Sequence, residues 1–189
     1  MKSGARVLGV AASDGSARSY LAGPLVRADR VVDGFAVATC RVGGLDATDA
    51  ACALFDRLDR EDCRAILLSG IAPAWFNLFD LEEIQAAADR PVISVSFESS
   101  PGLESALREH FSGEALEERL GIYRSLPPRD PVDVGEDRLF VRAVGCDLDR
   151  AVEIVRASTH ADGVPEPIRV AGFAAGAMRA AARGRAHGI

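Results

Sequence analysis

Apolar and polar positions along the chain fall into successive patterns, beginning with short apolar runs separated by turn chemistry. Arg6-Val7-Leu8-Gly9-Val10 predicts a first strand, and Ala11-Ala12-Ser13-Asp14-Gly15-Ser16 a loop. Tyr20 to Arg27 predicts a second strand, with Pro24 marking an edge or a bulge. After a tight reversal at Ala28-Asp29-Arg30, Val31 to Val42 predicts a long third strand, interrupted at Asp33-Gly34. Three strands with short connections make an antiparallel meander.

At Asp46 the period changes. Ala47, Ala51, Leu54, Phe55 and Leu58 form one helical stripe. Asp46 stands at the N-cap position, and Asp49 three residues later gives the outline of a capping box. Ala65-Ile66-Leu67-Leu68 has no polar alternation, as expected of a central parallel strand. Ser69 to Pro73 is a loop, followed by the aromatic residues Trp75, Phe76 and Phe79. Asp80 with Glu83 is a second capping box, and Leu81, Ile84 and Ala88 share the face behind it. Pro91 to Phe97 is the next strand. The alternation predicts parallel pairing with right-handed crossovers.

Ser100-Pro101 opens a helix with the stripe Leu103, Ala106, Leu107 and Phe111, ended by Gly113. Leu116, Leu120 and Tyr123 mark another. The Pro-rich stretch 127–137 predicts a surface loop. A strand over Leu139 to Val144 and a helix carrying Leu148, Ala151, Val152 and Val155 follow. Pro165-Glu166-Pro167 opens a last helix over 165–185. There Gly172, Gly176, Ala180 and Gly184 recur every fourth residue, a flat ridge suited to close approach by the sheet or by a second copy in a homo-oligomer. These elements suit one α/β domain over 1–189, three antiparallel strands followed by alternating helices and parallel strands.

Composition narrows the function classes. No apolar run is long enough to span a membrane, and Met1 to Arg6 leads straight into a strand-like segment, so neither a membrane span nor a signal peptide is expected and a cytoplasmic location is. The net charge of −6 argues against a broad positive field for nucleic acid. It leaves Arg179, Arg183 and Arg185 as either a local basic patch or a solvated helix face. Cys40, Cys52, Cys63 and Cys146 contain no CxxC pair and lie far in sequence from His110, His160 and His187, which favours buried reduced thiols over zinc. There is no GxGxxG and no GxSxG.

The order of elements is that of a ribonuclease H-like domain, and particular residues sharpen the likeness. Arg6 to Val10, Asp33-Gly34-Phe35, Gly44-Leu45-Asp46-Ala47-Thr48, Ser69 to Asn77, Pro91 to Val95 and Pro165 to Ala171 together resemble the archaeal endonuclease dU family, a relative of endonuclease V. The resemblance implies cleavage of DNA near a deaminated base, uracil or hypoxanthine, with magnesium or manganese held by carboxylates. It places those carboxylates at the end of the first strand, near the first helix and at the end of the fourth strand. Hard divalent ions take charged oxygen ligands and activate water for in-line attack on a phosphodiester.

This chain departs from that pattern. Ala11-Ala12 follows Gly9-Val10 where an acid is implied, Ser69-Gly70 replaces Asp-Gly, and Gly172 stands where a histidine is implied. Asp46 remains, with Asp49 close by and Asp14 in the loop after the first strand. These three are the candidate catalytic carboxylates, Asp46 and Asp14 the candidate metal ligands, and Ser69, Trp75 and Asn77 the candidate substrate contacts. Trp75 is read either as a base-stacking residue or as core under the next helix. The expectation is a diverged relative with a depleted metal site that binds nucleic acid or a partner without efficient cleavage. The alternative is an active Mg- or Mn-dependent endonuclease on DNA with deaminated bases.

Overall fold

A computed structural model of the chain describes residues 5–159 and 163–187, the side chains of 185–187 excepted. Seven strands form one sheet in the order β3-β2-β1-β4-β5-β7-β6. β1 (Arg6–Asp14), β2 (Arg18–Arg27) and β3 (Val32–Arg41) make the antiparallel meander, and β4 (Cys63–Ser69) and β5 (Val92–Ser96) run parallel to β1. β7 (Asp137–Val144) pairs antiparallel with both β5 and β6 (Asp130–Val134), so the parallel run stops at three strands.

Several expectations are corrected. Residues 11–14, expected as loop, extend β1, because pairing from Ala11 with Ala22 through Asp14 with Ser19 satisfies their backbone. Pro24 is not on an edge strand, since β2 lies between β1 and β3; the bulge alternative is the one met, with the β2–β3 register shifting between Leu25 and Val26 and no β1 partner paired at Pro24, which has no N–H to give. The stretch 127–137 is not a surface loop throughout. Its middle forms edge strand β6, where Pro131 is tolerated because one side of the strand has no ladder partner.

Strand alternation sorts the core into two faces. Leu8, Val10, Leu21, Leu25, Ile66 and Leu68 pack on one face under α1 (Ala47–Leu58) and α3 (Leu81–Ala88). Val7, Leu67, Ile93, Val95 and Val141 pack on the other with α6 (Leu148–Ser158) and α7 (Glu166–His187). The wholly buried run Ala65 to Leu68 serves both faces, as its unbroken apolar character predicts. Gly9 is required where α7 begins, since a Cβ there would lie 2.1 Å from the Pro167 carbonyl oxygen. α4 (Glu104–His110) and α5 (Glu114–Ser125) enclose a small third cluster of Leu78, Leu107 and Leu120.

The glycine ridge of α7 does not meet the sheet. Ile168, Ala171 and Ala175 are the buried face, while a Cβ at Gly172, Gly176 or Gly184 would meet nothing within 4 Å. No helix among the described residues is long and apolar enough to cross a membrane.

Candidate functional site

The turn between β3 and α1 is built around Asp46. Its Oδ1 accepts the Arg41 backbone N–H at 3.0 Å and the Asn77 side-chain amide at 2.8 Å, and its Oδ2 accepts the same Arg41 N–H at 3.3 Å. Asp46 makes no side-chain cap to α1. The cap comes from Asn77, whose Oδ1 accepts the Ala47 N–H at 2.9 Å and whose Nδ2 also donates to the Arg41 carbonyl at 2.8 Å. Asn77 is wholly buried, so the expectation that it faces substrate is corrected. Asp49, on the exposed side of the first turn of α1, does not complete a capping box. The second box holds at its N-cap: Asp80 accepts from the Glu82 and Glu83 amides.

A second clamp lies outside any motif. Arg119 on α5, 3% exposed, donates to the carbonyls of Phe76, Ala115, Gly43 and Gly44, and its guanidinium sits 4.0 Å from the Phe111 ring centroid. Burial pulls its pKa below the ordinary arginine value, against a weaker opposing pull from Glu118. Arg119 thereby ties the Gly43-Gly44 turn to α2 (Pro73–Phe76).

That short turn is strained. Ala74, Trp75 and Phe76 have φ of 51°, 54° and 61°. Left-handed backbone costs about 1–2 kcal/mol for each such residue. Trp75, expected either to stack on a base or to pack in the core, is 47% exposed, in ring contact with Phe76, His110 and Phe111. Gly43, itself at φ 73°, lets this arrangement close: its N–H reaches the Ala74 carbonyl at 2.7 Å, and a Cβ would stand 2.9 Å from the indole.

The candidate carboxylates do not gather where the resemblance implies. Asp14 pairs with Ser19, whose hydroxyl donates to it at 2.6 Å, and Ser19 in turn pairs with Cys40 of β3. Asp14 thus lies in a row on the α1 face, two strand spacings or about 10 Å from Cys40. The buried Cys40 thiol feels both acids. Burial first, then the charges of Asp46 and Asp14, push its pKa up to about 12. Ala11 and Ser69 fall instead on the α7 face, by the alternation that puts Val7 and Leu67 there.

Among the described residues no group of three or more His, Cys, Asp or Glu side chains is placed to hold a metal ion. Asp46 accepts from the Arg41 backbone and the Asn77 amide, and Asp14 Oδ1 accepts from the Ser19 hydroxyl. Arg18 and Arg179 border an open groove of about 600 Å³ with Tyr20 and Arg183, so part of the arginine patch expected from sequence does adjoin the β1–β2 turn. The Arg185 side chain and His160 lie outside the described residues.

The model of the Endonuclease dU family matches residues 3–179. The chain belongs to that family. A UPF0215 protein of Thermococcus kodakarensis is 33% identical over 163 residues, covering 85% of this chain and 82% of the relative. Among solved structures, a protein of unknown function from Archaeoglobus fulgidus has a TM-score of 0.81 at 26% identity, over 92% of this chain and 98% of that one. Endonuclease V of Ciona intestinalis, in complex with a 24mer DNA containing an inosine followed by a ribo-adenosine, has a TM-score of 0.63 at 12% identity, over 94% and 87%. That last likeness is one of fold, and the fold is ribonuclease H-like. Against the endonuclease dU pattern, the structure shows which motif residues hold the scaffold. Asp46 and Asn77 fix one turn, and the Thr48 hydroxyl accepts the Asp80 N–H at 2.9 Å.

Proposed function

We propose that this chain is an endonuclease dU family member with a depleted metal site, which binds nucleic acid without efficient cleavage. The observation that carries the reading is the exchange at the two strand ends: Ala11 and Ser69 stand where the pattern implies acids, while Asp46 in its turn and Asp14 Oδ1 on the α1 face accept hydrogen bonds from the chain itself. A neutral hydroxyl and a methyl group offer a hard dication little. Three features support nucleic-acid binding. The fold is shared with an endonuclease V crystallised on DNA. Trp75 is held half-exposed on a strained turn, where it would stack on a base. Arg18 and Arg179 would follow a phosphate backbone along their groove.

The test uses single strands containing uracil or hypoxanthine. Expected are binding that weakens with salt, quenching of the single tryptophan, and no Mn²⁺-dependent product. Metal-dependent cleavage that disappears in Asp14→Asn overturns the reading and makes the chain an active nuclease. Placing acids back with Ala11→Asp and Ser69→Asp together should create Mn²⁺ affinity, seen as a thermal shift that the parent chain lacks.

A further inference from the structure

A cavity of about 190 Å³ opens beside the end of β4, next to Ile71 and Ala72, and its floor is the sheet at β5 and β7. The floor is unusual in chemistry. On one side of these strands Ile93, Val95 and Val141 are wholly buried and apolar. On the other, Ser94 stands opposite Arg142, and Ser96 opposite Phe140. Arg129 reaches in from the β6 side, giving Nε and Nη2 to the Ser96 hydroxyl at 3.1 and 2.9 Å and a further bond to the Glu98 carbonyl. Its guanidinium lies 4.1 Å from the Phe140 ring centroid.

The two arginines share this cavity without an acid. Neither has a carboxylate within ion-pair distance among the described residues. Arg142 bonds only the Pro127 carbonyl through Nη1, which leaves its Nε and Nη2 and the Arg129 Nη1 unbonded among the described residues. Burial first, then the charge of Arg142, lowers the Arg129 pKa, which is how two cations behave when held together away from water. Tyr123 accepts the Leu103 N–H at 3.1 Å, so its own hydroxyl proton remains to be given.

We propose that Arg129, Arg142, Ser94 and Tyr123 form a binding site for a phosphomonoester. Two planar guanidinium groups match the oxygens of a dianionic phosphate, and the hydroxyls add donors that a carboxylate-lined site would lack. The cavity admits a phosphate with a small organic group and excludes a duplex. The phosphate belongs either to a free mononucleotide or to a strand end, and the site stands whether or not the chain cuts nucleic acid.

Calorimetry and thermal shift with inorganic phosphate, a nucleoside 5′-monophosphate, and a 5′-phosphorylated oligonucleotide with its unphosphorylated twin test the proposal. Phosphate is expected to bind and to raise the melting temperature, with chloride at equal ionic strength inert. A mononucleotide that binds more tightly than the phosphorylated strand identifies a small-molecule ligand; the reverse order, with the twin weaker, identifies a strand end. Arg142→Gln should weaken binding at least tenfold and Ser94→Ala by less, while Arg138→Gln, on the Asp133 surface pair, should leave it unchanged. The parent chain's own phosphate response keeps the test decisive should Arg142→Gln fail to fold. No phosphate response in the parent chain, or equal binding by a folded Arg142→Gln variant, overturns the proposal.

Discussion

Two regions beside the sheet use the same motif set differently. At the β3–α1 junction the residues that resemble the family are in place, and each has a scaffold task. Asp46 grips the end of β3, Asn77 caps α1, and Thr48 holds the start of α3. At the ends of β1 and β4 stand Ala11 and Ser69, where the resemblance implies acids, and Val10 pairs with Leu68 beside them. The contrast separates two kinds of position within one motif set. Residues that satisfy buried backbone cannot change without cost, because an unpaired polar group in the interior costs about 1–3 kcal/mol. A strand-end side chain that bonds no buried backbone, such as Ser69, carries no such cost.

The largest expected effect breaks this comparison if it fails. Asn77→Ala removes an amide that bonds Asp46, the Arg41 carbonyl and the Ala47 N–H at once, all in a wholly buried place. It should cost about 3 kcal/mol. For a chain of this size that lowers the melting temperature by about 6–12 °C. Ser69→Ala should change stability by less than about 0.5 kcal/mol. Denaturant melts of the two variants decide the matter, and similar costs at both positions would remove the distinction between scaffold and ion-holding residues.

Arg119→Met should come next, at about 2–3 kcal/mol, because four carbonyl oxygens lose a charged donor while the Phe111 contact is kept. This variant also reports on the strained turn. With its tie to Phe76 and Gly43 gone, the left-handed run at 74–76 should relax, and the emission of Trp75 should shift. A stability loss without a change in fluorescence would mean that Arg119 supports α5 alone.

Much of the fold was legible because it follows period. The meander, the stripe of α1 and the unbroken run of β4 are local statements, and the structure repeats them. The errors share one cause. Residues 11–14 and 130–134 carry turn-forming side chains, yet both became strand because a neighbouring strand offered hydrogen bonds. Asp46 stands at the N-cap position that its spacing predicts but makes no cap, since its carboxylate accepts from Arg41 and Asn77, 5 and 31 residues away. Arg119 gave no signal at all: beside Leu120 on an otherwise charged helix it reads as solvent-facing, and only the third packing cluster buries it. The roles of Ser94 and Ser96 depend on β7, which brings Arg142 and Phe140 opposite them.

The smallest effect concerns Cys40, which lies in the row leading from Asp14 toward the Asp46 turn. Its thiol pKa is raised to about 12 by burial and then by those two acids, whereas an unfolded thiol loses its proton near 9. The folded chain therefore keeps a proton that the unfolded chain releases. Stability from this group is full below pH 9 and declines as pH rises from 9 toward 12. Cys40→Ala should reduce that alkaline decline in denaturant midpoints, the other raised thiols accounting for the remainder, and Asp46→Asn should reduce it by less. A divalent ion seated between the two acids would reverse the electrostatics, drawing the thiol pKa down and exposing Cys40 to alkylation near neutral pH. Manganese should leave both the alkaline profile and the alkylation rate of the parent chain unchanged. The Ala11→Asp and Ser69→Asp pair, which places its acids on the other face of the sheet, should bind the ion with the Cys40 profile still unmoved. A manganese-dependent fall in that profile in the parent chain would place an ion between Asp14 and Asp46, on the α1 face.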